Sequence, residues 1–122
     1  MEMPLPEILD RMSIVKLKIE RIKEPHLKKE MQEYERALKD FEQRGVKIKQ
    51  EWLNEFDKVH RQIWDLEADI RSGKEGILGL EEVGRRAIAI RELNKKRISV
   101  KNKIVEETGL GFKDIKMAHA SE

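Results

Sequence analysis

LKDFEQRGVKIKQEWLNEF, residues 38–56, decides how many helices this chain has. Its apolar positions Leu38, Phe41, Ile48, Trp52 and Phe56 keep a helical phase across Gly45, with a small slip before Phe56. Gly45 then has two readings. It can be the left-handed stop of a helix ending at Arg44. It can also lie inside one long helix, at a cost of about 1 kcal/mol against alanine. The continuing phase tips the reading slightly toward a long helix over 26–71, with Gly45 as its candidate break.

Upstream, Ile8, Met12, Val15, Ile19 and Ile22 recur at spacings of 4, 3, 4 and 3, an apolar heptad seam over a helix at 6–23. Pro4 and Pro6 suit its first turn, and Glu7 and Asp10 lie near the positive end of its dipole. At Glu24-Pro25 the seam breaks. Leu27, Met31, Tyr34, Leu38 and Phe41 resume it one residue out of phase, so the chain kinks or turns there.

Downstream, Val59, Ile63, Leu66 and Ile70 carry the seam to Arg71. SGKEGILG, residues 72–79, is a glycine-rich loop, and a last helix runs over 80–108 until Gly109 and Gly111 stop it. The tail, 109–122, reads as extended, with Phe112, Ile115 and Met117 alternating weakly. The expected fold is a single all-α domain over 1–122: an elongated antiparallel helical bundle or coiled-coil hairpin of three or four helices.

Composition agrees. Of 122 residues, 39% are apolar and 41% charged, which suits long amphipathic helices with solvated faces better than a thick core. The 26 basic and 24 acidic residues leave a net charge of +2, so no one-signed field points to nucleic acid. There is no cysteine, which excludes disulfides, thiolate metal sites and cysteine nucleophiles. No apolar run reaches membrane-span length, and MEMPLPEILD does not read as a signal peptide, so a cytoplasmic protein without a membrane partner is expected.

The polar positions are less orderly. The last helix can be read in two apolar phases, and Arg97 faces inward in both. Asn94, Arg97 and Lys101 form one stripe at i, i+3 and i+7. If residues 72–79 make a hairpin, Asp65 and Asp69 become available to face that stripe, where arginine's planar fork can hold a carboxylate. Asp65, Asp69, Asn94, Arg97 and Lys101 are therefore the candidate polar cluster. Glu67 is placed for a surface pair with Arg71.

The plainest reading of the cluster is a device that sets helix register. A site for a small anionic ligand at Asn94, Arg97 and Lys101 is the alternative. A divalent-metal site on Asp65 and Asp69 is weaker still: helical metal sites use a second carboxylate pair, and Glu30 and Glu33 find no clean match downstream. No metal and no cofactor is expected.

Other motifs point nowhere sharper. His26, His60 and His119 are scattered, and His60 with Trp64 reads as a packed edge. The glycine loop lacks a phosphate-loop pattern and follows a helix rather than a strand. Lys95, Lys96, Arg97, Lys101 and Lys103 form a basic cluster, but Glu106 and Glu107 dilute it and only Phe112 is a nearby aromatic. Nucleic-acid binding is not expected. A likeness to chorismate mutase through Arg11, Arg21 and Lys39 fails on spacing.

Three blocks carry a resemblance: LPEILDRMSIVKLKIERI (5–22), IWDLEADIR (63–71), and the spaced set Ile90, Asn94, Arg97, Lys101 and Ile104. Together they resemble a family of small bacterial all-helical proteins of unknown function, with the WD-x-E-x-DIR block the most specific part. Residues 27–58 share only helical character. The resemblance implies an all-helical fold and marks Asp10, Lys16, Glu20, Trp64, Asp65, Glu67, Asp69, Arg71, Asn94 and Arg97; it supplies no activity. The expected function is a structural or interaction module forming a homodimer, with a protein partner as a further option. The alternative is a small-ligand or metal-dependent enzyme or binding protein using the polar cluster.

Overall fold

The computed structural model describes residues 3–71 and 79–110. Four helices and no strand occur among them: α1 (Leu5–Arg21), α2 (Pro25–Gln43), α3 (Gln50–Arg71) and α4 (Leu80–Thr108). The fold is an all-α bundle.

Each boundary has a local cause. The Pro4 carbonyl accepts the N–H groups of Glu7 and Ile8, both at 3.1 Å, and Pro6 occupies the first turn, where an N–H would lack a helical partner. α1 ends where Ile22 and Lys23 both donate to the Lys18 carbonyl and Lys23 takes the left-handed conformation, with φ 60°. Pro25 then opens α2. The phase jump at Glu24-Pro25 is thus a complete turn, and α2 folds back along α1.

The fork at Gly45 resolves against the long helix. Gly45 has φ 90°; its N–H reaches the Glu42 carbonyl at 3.0 Å, and the Val46 N–H reaches Phe41 at 3.1 Å. This is the paired hydrogen-bond pattern of a Schellman stop. Its customary apolar contact is present too, since Val46 packs against the core that contains Phe41. The apolar phase persisted because Phe41, Trp52 and Phe56 enter the same core from two separate helices.

α1 is the central helix and packs against the other three. Asp10 reaches His60 and Arg21 reaches Asp65, so α1 runs parallel to α3. Glu7 meets Lys101 and Asp10 meets Arg97, so α1 and α4 are antiparallel. The core joins Leu5, Ile8 and Leu9 of α1 to Phe41, Trp52, Phe56, Val100 and Ile104. A helix with neighbours on three sides cannot bury one seam only. Leu9 and Leu17, outside the heptad seam, are therefore buried, while Ile22 at the seam's end is exposed.

The helices differ in length. At 1.5 Å per residue, α1 spans about 25 Å and α4 about 43 Å. Every buried residue of α4 lies from Leu93 onward: Leu93, Ile98, Val100 and Ile104. Residues 80–92 continue past the core alongside the end of α3, where the Arg86 guanidinium donates to the Leu66 carbonyl. These two half-helices form a distal arm.

Candidate functional site

Asp10 is fully buried, and no other carboxylate among the described residues is. It sits on α1 between Leu9 and the half-buried Met12, where three helices meet. A carboxylate out of water needs donors, and each neighbouring helix supplies them. Arg97 of α4 donates Nε to Oδ1 at 2.9 Å and Nη2 to Oδ2 at 2.9 Å, a fork-on-carboxylate arrangement. His60 of α3 places Nε2 at 2.7 Å from Oδ1. Lys101 of α4 lies 3.2 Å from Oδ2. An ionised carboxylate only accepts, so His60 Nε2 carries the proton.

Burial by itself would raise the Asp10 pKa. Hydrogen bonds from His60 and Arg97, and then the charges of Arg97 and Lys101, outweigh it and hold the pKa at about 2, against an ordinary 3.8. The group is internally balanced. Lys101 also pairs with Glu7 at 2.8 Å, and Arg97 uses its remaining Nη1 on Asn94 at 3.3 Å. Two carboxylates thus meet two cations. An incoming anion would have to displace Asp10 from Arg97. His60 stacks on Phe56 (centroids 6.3 Å apart), and among the described residues no hydroxyl is hydrogen-bonded to its ring.

Chemically, this arrangement is a lock. It ties α1, α3 and α4 together at one level of the bundle, and α4 in one register, because Glu7 and Asp10 accept from Lys101 and Arg97 in antiparallel order.

The five residues singled out by sequence separate here. Asn94, Arg97 and Lys101 converge, but on α1 rather than on α3. Asp65 is exposed and pairs with Arg21 at 2.9 Å, with Arg21 also lying over the Trp64 ring. α1 packs against both helices and supplies each with its partner, Asp10 for Arg97 and Arg21 for Asp65. The side chains of Asp69 and Arg71 lie outside what is described, as do the loop 72–78 and the tail 111–122. Among the described residues no group of three or more metal-ligating side chains is placed to hold an ion.

The resemblance marks Asp10, but the residue patterns placed neither Asp10 nor His60 in the polar cluster. Asp10 reads as a helix-dipole residue when α1 is taken as one-sided. The available signal was complementary spacing: Glu7 and Asp10 at i, i+3 match Arg97 and Lys101 at i, i+4 once the helices run antiparallel. Most of the basic cluster is also occupied. Lys95 meets Glu92, and Lys103 meets Glu51 and Glu55.

Comparisons with protein-family models, with curated proteins and with solved structures find no match. No helix among the described residues is long and apolar enough to cross a membrane.

Proposed function

We propose that this protein is a helical interaction module that works as a homodimer through its distal arm. One observation carries the reading: the first half of α4, residues 80–92, contributes no buried residue, yet keeps Leu80 (92% exposed), Val83, Ile88 (55% exposed) and Ile90. Ile63, Trp64 and Leu66 on the adjoining half of α3 are only half-buried. A helix that continues past its own core with apolar residues intact has a face for a partner. An isologous pairing of two arms would cover that face on both copies with one set of contacts.

The Asp10 cluster supports the same reading from the other side. Its charges are satisfied within the chain, so it fixes the scaffold that presents the arm. The alternative, an anion site at Arg97 and Lys101, finds those cations already engaged by Asp10 and Glu7.

The test is self-association. Light scattering at micromolar concentration should give a dimer for the natural chain and a monomer for the L80E/I88E double variant with unchanged helicity. A natural chain that stays monomeric at that concentration overturns the proposal.

A further inference from the structure

A different region carries a second kind of recognition. α2 and α3 both pack on α1 but diverge from each other, leaving a cavity of about 400 Å³ between them. Met12, Ser13 and Lys16 form its α1 wall, Met31 and Glu35 its α2 wall, and Gln50, Leu53, Asn54 and Asp57 its α3 wall. That volume suits a small organic molecule.

Two polar atoms of its lining lack partners. Ser13 is 4% exposed, and its Oγ makes no hydrogen bond. Asp57 gives Oδ2 to the Arg61 Nε at 2.9 Å, while its Oδ1 is shielded from solvent and makes none. These are the two solvent-shielded, unpartnered side-chain atoms among the described residues, and both residues line this one cavity. Orphaned buried polar atoms cost free energy and call for an explanation.

Their chemistry narrows the partner. A carboxylate oxygen needs a donor. Arg61 engages only Oδ2 of Asp57 from outside the lining, Oδ1 stays without a donor, and Glu35 adds a second carboxylate to the wall, so a positively charged donor fits best. Met12, Met31 and Leu53 supply an apolar bed for a hydrocarbon body, and methionine adapts to flexible ligands. We infer that the cleft between α2 and α3 is a binding site for a small aliphatic amine, its ammonium group on Asp57 and its carbon chain on Met12, Met31 and Leu53. A diamine would set its second ammonium toward Glu35 on the opposite wall. Gln50 and Asn54 hydrogen-bond to each other at 3.1 Å and close the α3 side.

The inference is independent of the dimer proposal, since none of these residues lies on the distal arm. The experiment titrates the full chain, with its methionine methyl groups labelled with carbon-13, with 1,4-diaminobutane and, in parallel, with uncharged 1,4-butanediol, following the methyl resonances by NMR. The expected result is saturable shifts at Met12 and Met31 with the diamine, and none with the diol. Asp57→Asn preserves the side chain's shape and its acceptor for Arg61, and should weaken binding about tenfold or more. Met31→Trp, at a half-exposed position, should fill the cleft and abolish the shift at Met12 while the helical spectrum is unchanged. Equal binding of diol and diamine, Met31→Trp binding as well as the natural chain, or no saturation by about 10 mM overturns the inference and leaves water as the partner of both oxygens.

Discussion

Replacing Asp10 by Asn is the sharpest perturbation of the scaffold. The side chain keeps its volume, but it loses its charge and one acceptor oxygen becomes an amide donor facing cations. Arg97, Lys101 and His60 then meet an amide in a buried position. A hydrogen bond to a charged group contributes about 1.5–3 kcal/mol, and breaking one side of a buried ion pair costs about 3–5 kcal/mol. The lower end applies, because the Arg97 side chain is 31% exposed and regains some hydration, whereas Lys101 at 13% and His60 at 7% do not. We expect a loss of about 3 kcal/mol, a large share of the 5–15 kcal/mol typical of a domain.

Urea unfolding followed by circular dichroism at pH 7 reads this directly. With a slope of about 1.5 kcal/mol per molar urea, the midpoint should fall by about 2 M. Arg97→Leu alone should also destabilise, since it leaves Asp10 with fewer donors. The double variant D10N/R97L should be less destabilised than the sum of the two, with a coupling of about 2 kcal/mol. A loss below about 1 kcal/mol for D10N, or strict additivity, would refute the description of this cluster as a lock.

Three further outcomes concern the pH dependence of the same cluster and the two positive-φ positions Gly45 and Lys23. The folded Asp10 pKa, about 2, lies below the ordinary 3.8. Its stabilisation is therefore complete above about pH 4 and disappears as pH falls toward 2, so the stability gap between the natural chain and D10N should narrow by about 2 kcal/mol across that window in acid titrations of the urea midpoint. Carboxylates such as Glu20 and Glu107, also held below their ordinary values by their cations, titrate in both proteins and cancel in the difference. Gly45→Ala should cost about 1–2 kcal/mol in thermal or urea unfolding, entirely through its positive φ, since a Cβ there would meet nothing within 4 Å. Lys23→Gly should do the opposite and raise stability by about 1 kcal/mol, because Lys23 holds a left-handed φ of 60° that glycine adopts freely.

What could be read in advance divides by physical range. Helix identity is local, and the apolar periods of α1 to α4, the stop at Gly109 and a break at Pro25, as a kink or a turn, were legible. Gly45 was not, because a Schellman stop and an in-phase glycine share a sequence pattern when the two helices feed one core. The inward position of Arg97 was legible from its place in both apolar phases. Its partner was not, since that depends on which helix lies at the centre. The unused signal was Leu9 and Leu17, apolar yet outside the seam: both are buried because α1 lies at the centre, and that placement brings Asp10 to Arg97. His60 was lost for the same reason: beside Trp64 on α3 it reads as packing, and only the α1–α3 crossing brings it to Asp10.

The distal arm is the claim on which the functional reading stands, and its most direct test is the solution mass of the chain by sedimentation equilibrium, alongside L80E/I88E. Pairing through the arm gives twice the 14.4 kDa of one chain for the natural protein and a single chain for the variant, with both equally helical. A natural chain sedimenting as 14.4 kDa at micromolar concentration, or a variant that still pairs, would contradict it.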